Sequence, residues 1–150
     1  MNFEIISHRH AEEIISANTE YNEVYQSLEN TINSISDNDL ISQFYSKGMS
    51  RGKSLNNTLN TLIDERLKLN GWNDQTKIFK PDEYKNPWKL DFTKGPFSME
   101  VAFNHGEATA WNLMKPVIAS EINHVEQEFQ TEIGIVIVAS SNLKRIAGMD

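Results

Sequence analysis

The chain contains no cysteine, so neither a disulfide framework nor a thiolate metal site is open to it. No apolar run approaches the ~20 residues that a membrane-spanning helix needs. The opening Met1-Asn-Phe-Glu-Ile-Ile-Ser7 lacks the basic flank and long apolar stretch of an export signal. These absences lead us to expect a soluble, cytoplasmic protein with no membrane partner. Basic residues are scarce too: 14 Lys and Arg against 21 Asp and Glu give a net charge of −7. At first sight that argues against a polyanionic partner, because nucleic-acid binding rests on Lys and Arg neutralising phosphates. The 150 residues suffice for one domain that buries about two thirds of its unfolded surface.

The charge is unevenly spread. Residues 1–43 carry one basic and eight acidic side chains, residues 44–94 ten and six, and residues 95–150 three and seven. The middle third is therefore net +4 inside an acidic chain. A DNA enzyme with a confined basic cleft shows such a distribution, and so does a set of solvated surface lysines.

Local structure and chemistry coincide in residues 88–105. Leu90 to Phe92 and Phe97 to Phe103 are apolar, aromatic and β-branched runs, and Thr93-Lys94-Gly95-Pro96 between them reverses the chain. The segment predicts a β-hairpin. Strand alternation sends Met99, Val101 and Phe103 to one face and Ser98, Glu100, Ala102 and Asn104 to the other. Folding back at the turn brings Asp91 toward Glu100. Two adjacent carboxylates repel unless a cation sits between them, and a hard, oxygen-liking ion such as Mg²⁺ is the usual occupant. Two solvated surface acids are the plainer alternative.

The run Asp91-Phe-Thr-Lys94, followed by Met99-Glu100-Val-Ala102-Phe-Asn104, resembles the catalytic hairpin of the PD-(D/E)xK nucleases. The form is that of the BglII and BstYI group of type II restriction endonucleases, where an Asp-Phe-x-Lys start precedes a Glu-Val-Gln-Phe strand at the same separation. More weakly, His10 to Ile15 is similar to that group's opening helix, and Leu55 to Trp72 to the helix ending in Trp before the hairpin.

This resemblance implies an α/β fold: a central mixed sheet with the catalytic β-hairpin, flanked by helices, in one restriction-endonuclease-like domain over 1–150 that lacks a C-terminal part. It implies Mg²⁺-dependent hydrolysis of double-stranded DNA by a homodimer at a palindrome with a GATC core. Asp91, Glu100 and the main-chain carbonyl of Ala102 would hold the metal. The third catalytic side chain, usually Lys, Glu or Gln, belongs at position 102, and a methyl group there can neither orient nor deprotonate water. Either a neighbour such as Glu107 or His105 substitutes, or the chain binds without cutting, or the alanine was introduced. Asn104 and His105, just after the catalytic strand, resemble the positions that this group uses to read bases.

The remainder of the chain is less specific. Phe3 to Ile6 is a short strand or a lead-in, and apolar residues from Ile14 to Ile35 recur at helical spacing, as one broken helix or two. His8 and His10 suit a strand-face metal pair or a plain surface. Ser36 to Asp39 is a turn or a helix start.

The loop from Ser46 to Ser54 offers Lys47, Arg51 and Lys53 with Gly48 and Gly52. A phosphate-binding nucleotide loop needs glycine where Lys47 stands, so the loop is expected either to contact a phosphate backbone or to be a plain flexible connection. Ser54 caps an amphipathic helix with Leu55, Leu59, Leu62, Ile63, Leu67 and Leu69 on one side, stopped at Gly71. Glu65 on it is either an accessory acid or part of a solvated face.

Residues 73–88 suggest a surface connection, and Pro81-Asp82 lies too far before Glu100 to replace Asp91. A helix from Gly106 to about Phe129, bent at Pro116, and a strand from Ile133 to Ala139 buried on both faces complete the pattern. The apolar face of the helix over 107–130 is either the interface of the dimer that the resemblance implies or part of the core, and Ser140 to Asn142 is a weaker DNA-contacting segment.

Overall fold

A computed structural model describes residues 1–46, 54–79, 88–103, 108–121 and 130–149. The chain forms two compact units, Met1–Gly71 and Trp72–Asp150.

The first unit is helical. The periodic stretch before residue 35 resolves into α1 (Ala11–Ala17) and α2 (Thr19–Asn33), and Phe3 to Ile6 is irregular rather than a strand. Asn18 causes the break. Its backbone is extended, and its side chain accepts from the amides of Glu20 and Tyr21 at 3.0 and 3.2 Å, two donors that open a helix without partners.

Ser36 and Asp39 form a reciprocal cap that starts α3 (Asp37–Ser46): Ser36 N donates to Asp39 Oδ2 at 2.8 Å, and Asp39 N to Ser36 Oγ at 3.2 Å. In α4 (Asn56–Leu69) the leucine stripe buries Leu59, Leu62, Ile63 and Leu67, while Leu69 is exposed at the last turn. The cap position is Leu55, one residue later than expected, and the Ser54 hydroxyl accepts from Asn56 N. Gly71 leaves the helix at φ 77, a left-handed value that glycine adopts without strain.

The second unit is a four-stranded mixed sheet in the order β1 (Asn73–Lys77), β2 (Lys89–Lys94), β3 (Phe97–Ala102), β4 (Ile133–Val138). The first two pairings are antiparallel and the third is parallel. The hairpin reverses at Gly95-Pro96, where Gly95 has φ 52, as a two-residue primed turn requires at its first position.

Two expectations fail here. Residues 73–77 are a strand rather than a surface connection: Asn-Asp-Gln-Thr-Lys shows no apolar alternation, because an edge strand can be held by main-chain pairing alone. The strand from Ile133 is a half-exposed edge of the described sheet, with Val138 exposed, rather than buried on both faces. β3 is an interior strand, paired on both sides, and Phe97, Ser98, Met99 and Glu100 are all fully buried.

Helix α5 (Thr109–Glu121) packs on β3 and β4, and α6 (Ser141–Ala147) follows β4. Leu90, Ile78 and Ala119 form a buried cluster in which α5 meets the sheet, with Phe79 and Ile118 against it. Pro116 lies inside α5 and is buried.

Candidate active site

The register Phe92↔Met99, Thr93↔Ser98, Lys94↔Phe97, continued by one pair, puts Asp91 opposite Glu100. There side chains take over the ladder. Asp91 N donates to Glu100 Oε1 at 3.2 Å, and Val101 N donates to Asp91 Oδ2 at 3.0 Å. Each carboxylate is thus fixed by an amide of the strand it faces, and the two acids are held side by side despite their like charge. On the other flank, β1 pairs through Asp74↔Phe92 and Thr76↔Leu90 but not through Gln75, which has φ 50 and lies across from Asp91. The local backbone strain in β1 is therefore placed next to the acid pair.

Glu100 is fully buried, whereas Asp91 is half-buried. Burial pushes the Glu100 carboxyl up to about 7; the Asp91 charge adds to this rise, and the hydrogen bond from Lys115 opposes it. Lys115 Nζ, on α5, lies 2.7 Å from Glu100 Oε2, with its own side chain largely covered. The plain alternative of two solvated acids is excluded for Glu100. Glu100 Oε1 and Asp91 Oδ2 are engaged by amides and Glu100 Oε2 by Lys115, whereas Asp91 Oδ1 has no hydrogen-bond partner among the described residues. The cluster is two carboxylates with one ammonium.

A family model described as restriction endonuclease BglII/BglIII matches residues 3–150. The chain belongs to this family. Searches of curated proteins and of solved structures returned no match. The BglII/BglIII family is one of restriction endonucleases, so its members are DNA-binding hydrolases that cut at specific sequences. The mixed α/β architecture is consistent with a nuclease-like fold, and no helix among the described residues is long and apolar enough to cross a membrane.

Of the residues that the sequence singled out in this BglII/BglIII family member, Asp91 and Glu100 are brought together. Ala102 sits at the end of β3, opposite Val138 of β4, and alternation puts it on the same face as Glu100. Asn104, His105, Lys47, Arg51 and Lys53, together with Glu107 and Pro81-Asp82, lie outside the described residues.

Ser140 and Asn142 have structural partners: the Ser140 hydroxyl caps α6 through Leu143 N, and Asn142 Oδ1 accepts from Arg145. His8 and His10 are exposed, and no cluster of three His, Cys, Asp or Glu side chains that could hold a metal exists among the described residues. The residue that the sequence did not reveal is Lys115. Its signal was its solitude, since it is the one basic residue of an otherwise mostly apolar helix.

Proposed function

We propose that the chain is a Mg²⁺-dependent nuclease of the PD-(D/E)xK type that hydrolyses phosphodiester bonds in double-stranded DNA, acting as a homodimer in the cytoplasm on a palindrome with a GATC core. One observation carries this reading: Asp91 and Glu100 face each other on adjacent strands, each fixed by the other strand's amide. The donor set fits a hard divalent ion, because it is made of carboxylate oxygens, one of them without a partner among the described residues, and the Ala102 carbonyl could add a third oxygen. Held by these oxygens, such an ion would supply Lewis-acid stabilisation of charge on the phosphoryl group and the leaving 3′ oxygen.

The chain's own contribution is positional. The buried interior strand β3 holds Glu100, the hairpin turn holds Asp91 against it, and the cover of α5 excludes water from one side of the pair. Asn104 and His105, next after β3, would read base edges in the major groove, where Asn suits adenine. Lys47, Arg51 and Lys53 would meet the phosphate backbone. The exposed Trp111, Leu113, Met114 and Val117 of α5 give an apolar face for the two-fold partner that a palindrome requires.

The methyl group of Ala102 favours a second reading, a DNA-binding relative that does not cut. Plasmid carrying GATC palindromes, incubated with Mg²⁺ or Mn²⁺, separates the two. Metal-dependent cleavage that disappears in Asp91→Ala supports the nuclease; salt-sensitive DNA binding without cleavage, even after Ala102→Gln, supports the binding protein.

A further inference from the structure

We propose that Lys115 is a catalytic residue of this site, supplying from α5 the cationic donor that position 102 of β3 does not provide. This rests on the nuclease reading above and adds a residue to it. Strand alternation places Ala102 on the same face as Glu100, and α5 presents Lys115 to Glu100 at 2.7 Å. An alanine at 102 puts only a methyl group on that face, where a longer side chain would reach the acid pair.

Lys115 is held there by packing as well as by charge. The next residue, Pro116, is buried against β4 at Gly134, where a single added methyl would come within 2.6 Å of the proline ring. The lysine is thus carried on a backbone seated closely against the sheet. An ammonium has three N–H donors, and among the described residues Lys115 uses one, on Glu100. The others are available to a phosphodiester and its water.

In the reaction, a water oxygen forms a bond to phosphorus as the bond from phosphorus to the 3′ oxygen breaks. The departing 3′ oxygen takes up a proton to become a hydroxyl, the water loses one to solvent, and a 5′-phosphate results. Lys115 donates to a non-bridging phosphoryl oxygen and orients the attacking water, and itself neither gains nor loses a proton. Glu100 acts on Lys115 as the anchor that aims it.

Cleavage of supercoiled plasmid in Mg²⁺ or Mn²⁺ tests this with the full chain, its Lys115→Met variant and Lys115→Met combined with Ala102→Lys. We expect Lys115→Met to lose about 100-fold or more in cleavage rate, the range of one lost donor to developing transition-state charge. It should keep its Mn²⁺-induced rise in melting temperature, and Ala102→Lys should restore part of the rate. Cleavage by folded Lys115→Met within about twofold of the parent overturns the proposal.

If Lys115→Met does not fold, Lys115→Arg decides: it keeps the pairing with Glu100 but presents a planar fork in place of a point charge. A loss of about tenfold or more with unchanged melting supports the role, and full activity overturns it. A parent that is inert while Ala102→Lys alone cuts also overturns it and leaves the nuclease site standing. If neither cuts and metal does not raise the melting temperature, the nuclease reading falls as well.

Discussion

Gly134 of β4 lies against Pro116 of α5 so closely that a Cβ at the glycine would sit 2.6 Å from the proline Cβ. Neither partner can yield cheaply, since one is strand backbone paired to Ser98 and the other a rigid ring in a helix. Gly134→Ala is therefore expected to cost about 1–3 kcal/mol, the usual penalty of overpacking a core. It should also move Lys115 away from Glu100. Denaturant unfolding measures the first effect, and a reduced cleavage rate in the folded variant the second. A substitution that leaves stability unchanged would mean that α5 is free to shift.

The raised Glu100 carboxyl makes stability depend on pH in a definite direction. Its folded value is about 7 against an ordinary 4.5, so the native state holds the proton more tightly than the unfolded chain does. Below pH 4.5 both states are protonated and no penalty exists. From there to about pH 7 the unfolded state ionises first, so this group's contribution falls as pH rises, by roughly 3 kcal/mol in all, and is flat above. Glu100→Gln removes the titration. The stability difference between Glu100→Gln and the parent should move in the variant's favour by that amount between pH 4.5 and 7.5; a difference that does not change with pH would show that Glu100 titrates normally.

The hairpin was legible in the sequence because its determinants are local. Gly95 and Pro96 mark the turn, the apolar runs mark the strands, and two-residue alternation then fixes which side chains share a face with Glu100. The burial of Glu100 was not legible, since its face is covered by a helix whose docking depends on Gly134 and Pro116, residues far apart in sequence. Lys115 was missed for the same reason. Spacing along a strand says nothing about what a following helix lowers onto it.

The β1 strand escaped notice because edge pairing needs no apolar pattern, and the aliphatic run of β4 announced a strand without announcing its place at the edge. By contrast, Asn18 and the pair Ser36 and Asp39 are short-range caps whose residue types state the helix starts directly.

Divalent metal should bind more tightly as pH rises, because a carboxylate must lose its proton to act as a ligand. With Glu100 near 7, affinity should climb by about one decade per pH unit below pH 7 and level off above pH 8. A thermal-shift titration with Mn²⁺ at pH 6 and pH 8 reads this, as metal that binds only the native state raises its stability. We expect the shift to be larger at pH 8 and absent in Asp91→Asn. Equal shifts at both pH values, or a shift surviving Asp91→Asn, would place the metal elsewhere.

The buried hydroxyls of Ser98 and Thr131 offer a test of how the lower part of β3 is held. Thr131 Oγ1 donates to Ser98 Oγ at 3.2 Å, and Ser98 Oγ donates to the Ile133 carbonyl at 3.4 Å, so a short polar chain ties β3 to the start of β4. Both side chains are fully buried. Ser98→Ala strands the Thr131 hydroxyl without an acceptor, and an unsatisfied buried donor costs about 1–3 kcal/mol. Thr131→Val keeps the volume and removes that donor, leaving Ser98 its bond to Ile133, so its cost should be smaller. The double variant Ser98→Ala with Thr131→Val abolishes the orphan that Ser98→Ala creates. Its cost should fall short of the sum of the two singles by about 0.5–3 kcal/mol, the coupling of groups in one network. Additive costs in urea unfolding would show that the hydroxyls act independently. Because Ser98 and Glu100 share a face of the same strand, a loose β3 at Ser98 should also lower cleavage activity, whereas a double variant that restores the packing should recover it.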